Sequence, residues 1–177
     1  MLHSIHSPYE APIIESLQYQ GHTNDCAPFT IATIIKAFNG IIINGSELAR
    51  KMDKPIWRGN YLSIRRIPHW ATFPWGMVDV FREYGFEANW GFFYSVEKLR
   101  QNLENGMISI PVLCSLKPFG AHVMTLLAWH PAEGWGFANT QSIAHELYWV
   151  SNRQLMKQWN LSARLLIEVQ SPISNSK

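Results

Sequence analysis

The sequence predicts an α+β fold, with a helical N-terminal half packed on a C-terminal antiparallel sheet. Three observations predict it. Before Gly106, apolar residues recur at helical spacing: Ile31, Ile34, Ile35 and Phe38; Met77, Val80, Phe81 and Tyr84; Val96, Leu99 and Leu103. After Gly106 the segments become short, rich in β-branched and aromatic residues, and separated by turn signals such as Pro118-Phe119-Gly120 and Glu133-Gly134. The composition, 47% hydrophobic and 16% charged over 177 residues, is that of a chain that packs a core, and the length suits one domain spanning 1–177.

Each element follows from its local pattern. Residues 1–17 contain Pro8 and Pro12 and no sustained period, which predicts an extended arm over the surface. A helix runs from about Ala27 to Phe38. Pro28 is tolerated in its first turn, where the missing N–H has no intrahelical partner, and Asn39-Gly40 stops it. Asn44 or Ser46 caps a short helix in "NGSELARKMD". The stretch around 55–75 holds three prolines and three tryptophans with little period and reads as a long loop or insertion, a class that is often functional. Its Trp57, Trp70 and Trp75 either line a groove or fill a core. Its Arg58, Arg65 and Arg66 form a solvated edge or read an acidic substrate. A helix over Met77–Tyr84 ends at Gly85, "FEANWGF" is a short strand, and Ser95 caps a helix reaching Asn105-Gly106. Strands follow in "MISIPVLCSL", "HVMTLLAWH", "WGFANT", "HELYWV" and "ARLLIEVQ", interrupted by one helix, "SNRQLMKQW", that Ser151 caps. Residues 171–177 are expected to fray.

Several classes are excluded. A net charge of +2 is too small to attract nucleic acid or an anionic membrane. Two cysteines cannot build a disulfide framework, and there is no CxxC pair or Cys/His spacing typical of zinc, so neither metal nor cofactor is implied. The N-terminus lacks a basic region followed by an apolar one, and "VMTLLAW" is far short of the roughly 20 residues a membrane helix needs. A cytoplasmic protein acting on a peptide or related amide is expected.

The chemistry centres on Cys26. A thiol attacks as thiolate, and a cysteine at the start of a helix gains help from unpaired N–H groups and the macrodipole. A neighbouring imidazole supplies the rest. Of seven histidines, His3 and His6 lie in the arm, His22 in the loop before Cys26 and His69 in the insertion. His122 opens a strongly apolar strand and is the candidate base. His130 ends the same strand, roughly 25 Å away, and cannot share its site. If that strand forms a hairpin with the next one, Asn139 falls beside His122 and can orient its second nitrogen. Gln20 and the Cys26 N–H are candidate donors to an oxyanion. Cys114, inside an apolar strand, reads as a buried small hydrophobe. A zinc site using His22 and Cys26 has no diagnostic spacing.

The set Gln20, Cys26, His122 and Asn139, in that order, resembles the papain-like cysteine peptidases, most closely the bacteriocin-processing, double-glycine-leader type. The resemblance rests on Gln20-x5-Cys26 with Asp25 before the cysteine and Pro28 after it, on "REYGFEA", on "SVEKLRQNLENGMISIPVL" and on "GAHVMTLLAWHPAEGWGFANT". These pieces span about Gln20 to Trp159. The resemblance implies the papain-like fold, thiol–imidazole chemistry and Gln20 as oxyanion donor. The chain departs from the family at Ala27, where glycine is usual. It departs again at Asn139, where that type often has aspartate, and at "NTQS", which replaces a frequent Asp-Pro. The insertion has no counterpart in the pattern. The expected activity is a thiol hydrolase working through an acyl-enzyme. An acyltransferase using the same thioester and a catalytically silent peptide-binding module are the alternatives.

Overall fold

The structure, a computed structural model, describes residues 3–170; the tail expected to fray lies outside the described residues. The helical layer holds α1 (Glu10–Ser16), α2 (Cys26–Asn39) and α3 (Gly45–Met52). Four short strands follow, β2 (Ile56–Arg58), β3 (Tyr61–Ser63), β4 (Arg66–Ile67) and β5 (Ala71–Thr72), and then α4 (Pro74–Glu83). The main sheet takes β1 (Ile5–His6), β6 (Glu87–Gly91), β7 (Ile108–Leu116), β8 (Phe119–Val123), β9 (Thr125–His130), β10 (Gly134–Ala138), β11 (Tyr148–Val150) and β12 (Leu166–Gln170). Between these strands run α5 (Val96–Glu104) and α6 (Asn152–Asn160). Strand order is β11-β10-β9-β7-β12-β6, with β1 on β9 and β8 on β7, and the pairings are antiparallel. Among the described residues no helix is long and apolar enough to cross a membrane.

The alternation of β12 explains the layering. Ile167 and Val169 join Ile31, Ile35, Leu48 and Phe81 beneath α2, α3 and α4. Leu166, on the other face, joins Leu99, Trp135, Leu155 and Trp159 beneath α5 and α6. The sheet is therefore covered on both faces. The cap expected at Asn44 or Ser46 is Asn44, whose side chain accepts from the Ser46 N–H at 2.8 Å. Ser95 and Ser151 cap α5 and α6 as expected. Asn44→Ala is expected to lower the unfolding free energy by about 1 kcal/mol, read as a fall in the urea midpoint at constant slope.

Three expectations are corrected. Residues 1–17 are not an extended surface arm: β1 pairs with β9, and α1 buries Ile13 completely. Pro12 misleads as a helix breaker because it lies in the first turn of α1, where no N–H is needed. The insertion is not structureless: β2 pairs with β3 and β4 with β5. It is drawn onto the domain at Gly76, where a Cβ would lie 2.3 Å from the Arg65 carbonyl oxygen. Finally, "HVMTLLAWH" is not one strand. It divides at Met124, because β8 pairs with the C-terminal half of β7 while β9 pairs mainly with β10 and β1. The turn before it is the two-residue link Lys117-Pro118, so His122 lies near the end of a short strand and does not open one.

Candidate active site

The loop before α2 is organised by Gln20. Its side-chain N–H donates to the Thr23 carbonyl at 2.7 Å, and Thr23 Oγ1 donates back to the Gln20 carbonyl at 3.0 Å. The same Gln20 accepts from Thr140 Oγ1 at 2.5 Å, and its backbone N–H donates to the Thr140 carbonyl at 2.8 Å. Gln20 is thereby buried and fastened to the segment that follows β10. A primary amide carries two N–H bonds, and Thr23 uses one.

Cys26 is the first residue of α2, so its backbone N–H is among those with no intrahelical partner. The sulfur is partly exposed yet closely surrounded. Burial pushes the thiol up from its ordinary value. The backbone N–H groups of Val123 and Ala27 oppose that rise, and the charge of Asp25 adds to it. The sulfur borders a cavity of about 430 Å³ whose walls include Trp70, Met77, Cys114, Val123 and Ile167. The expectation that Cys114 is a buried small hydrophobe is corrected, because it is only partly buried. It opens on the same cavity as Cys26, and burial raises its thiol too.

Asn139 follows the last residue of β10. The hairpin of β9 and β10, paired from Gly134 opposite His130 to Ala138 opposite Thr125 with a shift of register between Gly136 and Phe137, brings it back toward β8. His122 Nε2 lies 2.8 Å from Asn139 Oδ1. That oxygen also accepts from the Gln141 backbone N–H at 3.0 Å, which fixes which end of the amide faces the ring. Nε2 must then carry the proton, and Nδ1 keeps a free lone pair. Burial pushes the imidazole below its ordinary value, and the Asn139 hydrogen bond partly restores it.

Two of the four sequence candidates, His122 and Asn139, are thus bonded directly, and Gln20 is tied to Thr140, the neighbour of Asn139. The Cys26 thiol and the His122 ring share no hydrogen bond among the described residues. The backbone N–H of Val123, one residue along β8, is what favours the thiolate there. The ring borders an adjoining cavity of about 390 Å³. Asn24, Ser115 and the Phe119–Ala121 segment line both cavities.

The other histidines have local duties. His130 Nδ1 accepts from the Ala132 and Glu133 N–H groups in its own turn, His6 pairs with Glu10, and His145 Nδ1 contacts the Ile14 carbonyl. Among the described residues no three His, Cys, Asp or Glu side chains are grouped to hold a metal, His22 and Cys26 included.

The insertion's arginines are neither a solvated edge nor free for an acidic substrate. Arg58 pairs with Asp79. Arg65 pairs with Glu83 at 3.0 Å and donates to the Lys51 carbonyl at 2.6 Å. Arg66, 1% exposed, pairs with Asp25 at 2.6 Å and approaches Asp53 at 3.3 Å. Ion-pair partners across such sequence distances leave no local signal. None of the tryptophans fills a core: Trp57 is exposed, the exposed Trp75 stacks on Phe73, and only Trp70 forms part of the wall near Cys26.

No protein-family model and no curated protein matches the sequence. Solved structures do. A crystal structure described as a C39-like peptidase from Bacillus anthracis superposes with a TM-score of 0.71 at 10% identity, covering 96% of this chain and 98% of that one. The peptidase domain of Streptococcus ComA, a bi-functional ABC transporter involved in quorum sensing, superposes with a TM-score of 0.61 at 16% identity, over 86% and 96% of the two chains. The helices packed on an antiparallel sheet, with Cys26 opening α2 and His122 and Asn139 carried by the sheet, are thus arranged on the papain-like fold of the C39-like peptidases.

Proposed function

We propose that the chain is a thiol hydrolase that cleaves a peptide or related amide bond. The observation that carries this reading is the pair His122–Asn139. A buried amide, itself oriented by a backbone N–H, holds the imidazole in the one tautomer that can accept a proton at Nδ1. That ring is one residue from the Val123 N–H, which favours the Cys26 thiolate, on a fold shared with peptidases.

In this reading Cys26 Sγ attacks the scissile carbonyl carbon while its proton passes to His122 Nδ1. The carbonyl oxygen takes the negative charge and receives hydrogen bonds from the Cys26 N–H and the second N–H of Gln20. The tetrahedral species collapses, the C–N bond breaks, and His122 gives its proton to the leaving amine. Water, deprotonated by the same ring, cleaves the thioester and restores the thiol. The environment favours neutral thiol and neutral imidazole in the free protein, because burial disfavours the charged form of each. The proton therefore moves as the bond to carbon forms. The missing thiol–imidazole hydrogen bond is one that free enzymes commonly tighten only when substrate arrives.

The test is labelling by a thiol-directed electrophile with mapping of the modified peptide. Turnover of a peptide library is followed in parallel. Cys26→Ala is expected to abolish turnover and the labelling that competes with substrate, while Cys114→Ala preserves both. Undiminished turnover by the Cys26→Ala protein would sink the reading.

A further inference from the structure

The N-terminus of α2 presents an anomaly. Asp25 occupies the N-cap position, where a carboxylate ordinarily accepts from N–H groups of the first turn, yet it makes no such bond. One usual target is absent because the third helical residue is Pro28. The other is the N–H of Ala27, which favours the Cys26 thiolate instead. The Asp25 carboxylate is turned away to Arg66 NH2 at 2.6 Å. Arg66 comes from β4, within the insertion, is almost fully buried, and has Asp53 at the end of α3 as its second acid. A second tether joins the same two segments: Asn24 Nδ2 donates to the His69 carbonyl at 3.0 Å.

We infer that Arg66 is a positioning residue for the nucleophile. It draws the Asp25 carboxylate off the start of α2 and neutralises it, so that the Ala27 N–H stays available to the Cys26 sulfur and no bare negative charge stands beside the thiol. The insertion is thereby part of the machinery that readies the cysteine. The inference rests on Cys26 being the nucleophile. The groups that face the thiol are few. Asp25 precedes it, the Val123 N–H comes from β8 with His122 one residue away on the adjoining cavity, and Cys114 comes from β7 across the cavity. Behind Asp25 stand Arg66 of β4 and Asp53.

Two effects of the clamp act in the same direction. Without the guanidinium, the carboxylate regains its full charge beside the sulfur and can swing back to cap Ala27. Both disfavour thiolate. Removing the carboxylate instead takes the negative charge away from beside the sulfur, while Arg66 keeps Asp53, and favours thiolate. A purely structural clamp predicts otherwise, since breaking it from either side would loosen the loop in the same way.

The experiment measures the pH dependence of Cys26 alkylation by iodoacetamide in the full chain carrying Cys114→Ala. Arg66→Met is expected to raise the alkylation midpoint by about one pH unit, a roughly tenfold slower reaction on the rising limb. Asp25→Asn is expected to lower the midpoint and speed the reaction at neutral pH. The double variant should fall within about threefold of the parent, and Arg66→Lys, which keeps the charge, within about half a unit of it. Midpoints that move in the same direction in the two single variants, or an Arg66→Met midpoint equal to the parent's, overturn the inference. Should Arg66→Met fail to fold by circular dichroism, Asp25→Asn decides alone: a slower or unchanged reaction overturns the inference. Alkylation needs no turnover. Failure of the peptidase reading would appear as an inert parent whose midpoint still shifts, and failure of the clamp as an active parent whose midpoint does not.

Discussion

Replacing His122 by alanine is expected to lower kcat/KM by about three to four orders of magnitude while leaving the fold intact. In the proposed mechanism this ring takes the proton of Cys26, and burial leaves the thiol protonated at neutral pH without help. Asn139→Ala should cost less, about a hundredfold, because it leaves the base in place but frees its orientation. The pH profile separates the two roles. Burial holds the His122 imidazole below 6.5, so the acid limb of kcat/KM in the parent is expected to have its midpoint below that value. The Asn139 hydrogen bond is the influence that raises it, so Asn139→Ala should move the limb to still lower pH. The same depression links to stability. As pH falls through the unfolded value near 6.5, the unfolded chain takes up a proton that the folded chain resists, and stability declines on the acid side. An acid limb unchanged by Asn139→Ala would separate that residue from the base.

Trp159→Ala is expected to cost about 3–5 kcal/mol of unfolding free energy, a large share of the stability of an ordinary domain. The ring is fully buried on α6 among Leu99, Leu113, Trp135, Leu155 and Leu166, and its Nε1 donates to the Leu165 carbonyl at 2.8 Å. Truncation removes the packing that holds α6 against β7 and β10, and it takes away one of two donors to the Leu165 carbonyl, leaving the Val112 N–H. Trp159→Phe keeps most of the apolar body and loses the hydrogen bond, so it should cost about 1–3 kcal/mol. Urea unfolding of the two variants at constant slope measures both. A loss below about 1 kcal/mol for Trp159→Ala would show that α6 lies outside the cooperative core.

The parts of the structure legible in the sequence are those governed by local chemistry. The periods of Ile31–Phe38 and Met77–Tyr84 specify α2 and α4, because an apolar stripe must find a core wherever the helix docks. Asn44, Ser95 and Ser151 announce helix starts, because each cap closes on an N–H two or three residues away. The adjacency of His122 and Asn139 was legible through the hairpin of β9 and β10, which needs only a short turn and matching apolar faces. The arm was misread because β1 is held by backbone bonds to β9, whose partner lies more than a hundred residues away. The split at Met124 was hidden for a similar reason, since apolar residues run through it and only the choice of neighbouring strand changes there.

The sequence by itself therefore determined the α+β class, the helices from α2 onward and the residue types able to carry thiol chemistry. Tertiary structure decided how those residues are tuned. Whether Asp25 caps its helix or pairs with Arg66, whether Gln20 is loose or fastened to Thr140, and whether Cys114 faces core or cavity depend on groups far apart along the chain. Burial, ion pairing and hydrogen-bond competition act between such groups through space, so they are settled only when the layers close.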